Sequence, residues 1–179
     1  LVEVDCLSVN LFETVIYRAN SFDDFQKVKA SKLLGFVDPS TYLELRNGTE
    51  LEVRNSLSSG DVGITQVAEL MSLKIRNLQS TALSSADIIE AELNCELEIV
   101  RPKSMLASVI KERQSSGKQT TVVADTCYEL GHVERILTKA GISLEFLDLQ
   151  VSSKTGLRKD NSSYWAALAE SMRDFKGSY

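Results

Sequence analysis

Three polar stretches follow apolar runs in this chain: residues 10–14 (NLFET), 124–126 (ADT) and 151–159 (VSSKTGLRK). Together they offer two carboxylates, Glu13 and Asp125, the hydroxyls of Thr14, Ser152 and Ser153, and the ammonium of Lys159. Hydroxyls and cations of this kind bind oxyanions, and Lys154 and Arg158 with Ser152 and Ser153 would form a small anion-attracting patch. Asn10 ends its apolar run with a neutral carboxamide, which suits a residue that hydrogen-bonds the turn after a strand. No G-x-G-x-x-G or P-loop occurs, so a glycine-cradled nucleotide is not expected. The single histidine, His132, has no evident partner to make it a general base and reads as a surface or helix-packing residue. With the three scattered cysteines (Cys6, Cys95, Cys127) it leaves little for zinc.

These stretches meet only if the strands before them end side by side. Residues 2–17 are rich in Val, Leu and Ile and read as a buried strand. TTVVAD and ISLEFLDLQVSS are β-rich runs, and each is followed by a helix. The first helix carries Leu130, Val133, Ile136, Leu137 and Ala140 on one face and stops at Gly141. The second begins near Asn161 with Tyr164, Trp165, Leu168, Met172 and Phe175 inward. Strands joined by crossovers this long pair in parallel, and ligands of such sheets bind beyond the strands' carboxyl ends. The three polar stretches lie at those ends.

Residues 21–114 read as helical throughout. Ile64, Val67, Leu70, Met71 and Ile75 recur at helical spacing, as do Ile89, Leu93, Leu97 and Val100. Met105, Leu106, Val109 and Ile110 continue the pattern after Pro102, which suits the first turn of a new helix. Ser84 and Asp87 resemble a capping box. Glu90, Glu92, Glu96 and Glu98 could be taken for a metal site, but read better as a solvated helix face. The fold class is α/β: a Rossmann-like parallel sheet with an all-helical cap inserted after the first strand. The expected division is core 1–18, helical cap 19–103 and remaining core 104–179, ending before any further acidic motif.

Formal net charge is −5, with Lys and Arg scattered singly, which argues against a nucleic-acid partner. No segment approaches the roughly 18 apolar residues of a membrane span. LVEVDCL lacks a signal peptide's basic region and cleavage site, and the natural chain is expected to begin earlier. Odd, scattered cysteines suit a reducing compartment, so a cytoplasmic location is expected.

The three motifs, in order, resemble those of the haloacid dehalogenase superfamily of phosphohydrolases, in the branch whose first motif reads F-D-x-F-D-T-L-L-x-R. VNLFETVIYR matches it at Phe12, Thr14 and Arg18. VVADTCYEL resembles the second motif, S-D-x-Y, with Asp125 kept and Tyr128 one place late. VSSKTGLRK matches the third, V-S-S-x-x-G-x-x-K, outright. The glutamate-rich helix and RPKSMLASVIKERQSSGK are similar to the end of that branch's cap and the helix after it.

The resemblance implies a strand-end aspartate nucleophile, an acid shortly after it, a Ser or Thr holding phosphoryl oxygens, a charge-balancing Lys and an acidic Mg²⁺ site. Asn10 stands at the nucleophile position, Glu13 at the acid's and Ala124 at the hydroxyl's, while Lys159 is kept. Thr14, Asp125, Ser152 and Ser153 fall at phosphate-binding positions. Asp5 offers a second register for the attacking carboxylate, with only four residues of strand before it and Leu7 two places on. No acidic fourth motif follows Lys159, since Asp174 reads as helical. No metal or other cofactor is therefore expected, or Mg²⁺ if the site is active. The implied protein is a non-catalytic binding or interaction module, with a phosphorylated small molecule or an adjacent protein domain as partner. This branch resembles domains beside glycosyltransferases in bacterial polysaccharide biosynthesis. The alternative is a Mg²⁺-dependent phosphohydrolase using Glu13 or Asp125.

Overall fold

The computed structural model describes residues 4–19, 25–78, 82–160 and 162–171. The chain runs through β1 (Ser8–Asn10), β2 (Ile16–Arg18), α1 (Phe25–Leu33), α2 (Pro39–Ser56), α3 (Ile64–Leu78) and α4 (Ser85–Ile99). It continues through β3 (Val100–Pro102), α5 (Ser104–Ser115), β4 (Thr120–Ala124), α6 (Leu130–Lys139), β5 (Leu147–Val151), the single turn α7 (Ser152–Thr155) and α8 (Ser163–Ser171).

The expected parallel sheet is present, in the order β1-β4-β5. Asn10 lies opposite Val123, and Ala124 opposite Val151, so the three strands end nearly level. Val9, Val122, Ala124 and Val151 form one core with Ile110 of α5 and Val133, Ile136 and Leu137 of α6. Gly141, at φ 76°, ends α6 in a conformation that costs glycine least. At the far end of the sheet the fully buried Arg113 replaces apolar packing with hydrogen bonds. Its Nη1 donates to the Val4 carbonyl at 2.6 Å and its Nη2 to the Gln119 carbonyl at 2.7 Å. Asp5 sits at this end, its carbonyl 3.3 Å from Arg113 Nη2, and so stands away from the strand's carboxyl terminus.

Several expectations fail for local reasons. Residues 4–17 are not one strand: after Asn10 the chain turns, and β2 pairs antiparallel with β3. Residues 25–114 are not helical throughout, because β3 interrupts them and residues 57–63 form a loop. Pro102 does not open a helix; it closes β3 opposite Ile16, at a strand end where a missing N–H is tolerated. Met105 is exposed, although Ile110 on the same helix is buried. Trp165 is 52% exposed, because α8 turns Tyr164 inward and leaves the next residue about 100° around the helix. Asn161, Met172, Asp174 and Phe175 lie outside the described residues.

Helices α1–α4 carry a second core of Phe36, Tyr42, Val53, Val62, Val67, Met71, Ile75 and Ile88. Ser84 and Asp87 form the expected capping box at the start of α4. Of the expected solvated glutamate face, only Glu90 and Glu98 are exposed. Helix α4 packs against α1, α3 and α6 at once, which covers the side that carries Glu92 and Glu96. Glu92 and Glu96 are therefore buried, at 2% and 0% exposure. Glu92 Oε1 accepts from Tyr42 Oη at 2.6 Å and from Arg46 Nε at 2.9 Å. Glu96 Oε1 accepts from Arg18 Nε at 2.7 Å, while its Oε2 has no partner. Burial accordingly pushes the Glu96 carboxyl above its usual range, with Arg18 opposing. Glu90 and Glu98 stay at the rim, paired with Arg135 and Lys29.

Removing one partner of the Arg46–Glu92 pair strands a buried charge. Arg46→Met should cost about 3–5 kcal/mol in urea unfolding, and adding Glu92→Met should recover part of that loss.

Candidate functional site

The level strand ends bring together residues that are far apart in sequence. The Asn10 carboxamide is engaged on both sides: Nδ2 donates to the Phe12 carbonyl at 2.8 Å, and Oδ1 accepts from Lys159 Nζ. The first bond is the turn contact that a strand-end Asn makes readily. The second crosses 149 positions. Lys159 reaches the site because Gly156, at φ 72°, caps α7 and reverses the chain. Its backbone amide then donates to Asp125 Oδ2 at 3.1 Å, which leaves Oδ1 buried without a partner.

The turn after β1 is tight. The amides of Val15 and Ile16 both donate to the Leu11 carbonyl at 3.0 Å. Glu13 takes φ 61°, a left-handed conformation that costs an L-residue about 1–2 kcal/mol. Its side chain is exposed, and its carbonyl accepts from Lys103 Nζ at 2.5 Å. Thr14 is half-buried in the same turn. Behind the turn Arg18 stacks over Phe12, 4.5 Å from the ring centre, while holding Glu96. The turn thus connects directly to helix α4.

Ala124, Ser152 and Ser153 lie beside the Asn10 cluster rather than in it. Ala124 is buried and contributes only its methyl group. Ser152 is 1% exposed; its hydroxyl donates to Asp61 Oδ2 at 2.6 Å and accepts from the Thr126 amide at 2.9 Å. Ser153 donates to the Tyr128 carbonyl at 2.7 Å. Arg158 is held by Asp61 and Asp160, and Lys154 is exposed at the rim of a cleft of about 460 Å³ beside Asp61 and Glu129. Of the four proposed patch residues, Ser152 and Arg158 therefore share Asp61, while Ser153 turns to a carbonyl and Lys154 stays at the cleft rim.

Asp61, in the loop before α3, was not legible as a site residue. It accepts from Arg54 Nη1 at 2.8 Å, from Arg158 Nη1 at 2.6 Å and from Ser152. Burial disfavours its charge, but hydrogen bonds from Ser152 and the Val62 amide, with the Arg158 guanidinium, outweigh it and hold the carboxyl below its usual range. Only its place between Gly60 and Gly63 marks it in the sequence, and Arg158 lies 97 positions away.

His132 packs its ring edge-on to Tyr128, and its Nδ1 accepts from the Glu129 amide at 3.2 Å, which makes it a helix-capping residue. Cys6, Cys95 and Cys127 are all free thiols. Burial pushes the Cys127 thiol up to about 11, despite Arg46 Nη2 at 3.6 Å from its sulfur. At neutral pH it is a thiol rather than a nucleophilic thiolate.

The residues at the strand ends do not fit a divalent cation. Hard cations want several anionic or carbonyl oxygens, but Asn10 Oδ1 is taken by an ammonium and Asp125 has one free oxygen. Among the described residues no three His, Cys, Asp or Glu side chains stand together as ligands.

The Asp61 carboxyl gives a pH signature. Asp61→Asn should lower stability at pH 7 by about 1–3 kcal/mol. Because the folded carboxyl titrates below its unfolded value of about 3.9, its contribution is complete above that pH and is lost as pH falls through the folded value. Urea unfolding of both proteins should therefore show the gap closing only below about pH 4.

No family model matches the chain, and no curated protein sequence matches it. Solved structures do. L-2-haloacid dehalogenase from Xanthobacter autotrophicus superposes with a TM-score of 0.53 at 12% identity, over 93% of this chain and 64% of that one. The same enzyme with chloropropionic acid covalently bound gives 0.52 at 11% identity, over 94% and 65%. The chain thus spans slightly less than two thirds of the length of these enzymes. Identity this low speaks for architecture, and the level parallel strands under a helical layer show a haloacid dehalogenase-like fold.

Proposed function

We propose that this chain is a haloacid dehalogenase-like domain that has given up phosphoryl chemistry and serves as a binding or interaction module. The observation that carries the reading is the Asn10 carboxamide. A neutral amide is not a nucleophile toward phosphorus, and here its oxygen is bound by Lys159 and its nitrogen by the Phe12 carbonyl. An aspartate at this point would face the same ammonium as a charge-balanced pair. Ala124 supports the reading, since a methyl group stands where the family resemblance wants a hydroxyl. The partner is a phosphorylated small molecule or an adjacent domain, and the setting a larger bacterial polysaccharide-biosynthesis or glycosyltransferase protein. Both follow from the motif resemblance alone.

A second reading rests on Asp125, whose Oδ1 is buried and unpartnered. A phosphohydrolase built on that carboxylate, or on Glu13, would need Mg²⁺ that the present donor set does not fit.

An aryl phosphate assay with Mg²⁺ separates the two. The wild-type chain should show no turnover above background, and Glu13→Gln or Asp125→Asn should change nothing. Mg²⁺-dependent hydrolysis abolished by either substitution would establish the second reading instead.

A further inference from the structure

We propose that residues 57–64 form a fixed latch that locks the helical layer to the sheet. Asp61 is its pin, and the two halves move as one body rather than opening and closing over the strand ends. The Asp61 side chain is 3% exposed, and its two oxygens are shared between both halves. Arg54 reaches it from α2 at 2.8 Å, while Arg158 and Ser152 reach it from the sheet side, each at 2.6 Å. A carboxylate bound on one side only could swing away with its own element. This one cannot leave without breaking a guanidinium contact on each side, leaving Arg54 to Glu50 and Arg158 to Asp160, and without releasing the Ser152 hydroxyl, which itself holds the Thr126 amide.

The backbone closes around the same point. Gly60, at φ 93°, meets Gly156, at φ 72°, and a Cβ on Gly156 would stand 3.2 Å from the Gly60 Cα. Two loops that only touched occasionally would have no need of so close an approach. Just past the pin, the Ile64 amide donates to the Cys127 carbonyl at 2.7 Å and Thr65 Oγ1 to Glu129 Oε1 at 2.5 Å.

A moving lid is attached along one edge and free along the other. Here the opposite edge is held as well, by the part-buried Arg18–Glu96 contact and by α4 packed on α6. The latch also acts on the strand ends. Arg158 immediately precedes Lys159, so the pin sets the backbone from which the Lys159 ammonium reaches Asn10.

Hydrogen exchange followed by mass spectrometry on the whole chain tests this. In the wild type, residues 57–64 and 156–160 should be protected together, with a single mass envelope. Asp61→Ala should speed exchange in both loops at least tenfold and leave β4 and α6 unchanged. Arg54→Gln, at a half-exposed position, should give the same paired acceleration more weakly, and serves if Asp61→Ala does not fold. A two-component envelope in the wild type, or acceleration confined to residues 57–64, or no acceleration, would overturn the latch.

Discussion

Buried and half-buried ions join the two halves of this molecule alongside apolar contacts. The sheet's apolar core takes in Ile64 of α3 and Leu93 of α4, the four helices before β3 gather a second core, and Ile89 packs against both. Across the boundary runs a seam of ion pairs, Arg18 with Glu96 and Asp61 with both Arg54 and Arg158, and behind it, within the helical layer, Arg46 holds Glu92 and Glu50. Apolar contacts tolerate sliding because they are non-directional. Guanidinium–carboxylate contacts have a fixed geometry and leave costly orphans when displaced. The seam therefore sets how the halves sit, while the two cores supply most of the favourable burial.

The strand ends inherit their shape from that seam. Phe12, two residues past Asn10, lies under Arg18, which is held by Glu96 of the helical layer. Lys159 follows Arg158, which is held by Asp61. The two sides of the Asn10 cluster are thus each one contact away from a buried carboxylate of the helical layer. A cluster so placed has its geometry set from outside the strand ends, which is what the proposed binding module would require of Asn10 and Lys159.

Much of the architecture was legible because it depends on local periodicity. Val133, Ile136 and Leu137 recur at helical spacing and are all fully buried, and Gly141 stops their helix as its φ of 76° requires. The capping box of Ser84 and Asp87 is a three-residue pattern and forms as read. The readings that failed involve surroundings rather than spacing. Glu92 and Glu96 have the spacing of a solvated face, yet three helices close around them. Trp165 has the hydrophobicity of a core residue, yet its helix has only one covered face.

The sequence by itself determined the main helices, the parallel pairing of β1, β4 and β5, and the polar stretches at their ends, but not the antiparallel β2–β3 pair. These follow from side-chain period, glycine position and the length of the crossovers, all of which act within a few turns of chain. Only the tertiary structure decided which polar groups became partners. Asn10 with Lys159, Asp61 with Arg158 and Arg18 with Glu96 are separated by 149, 97 and 78 positions. An ion's partner is chosen by what burial leaves within reach, and that distance exists only once the strands end level and the helices are packed above them.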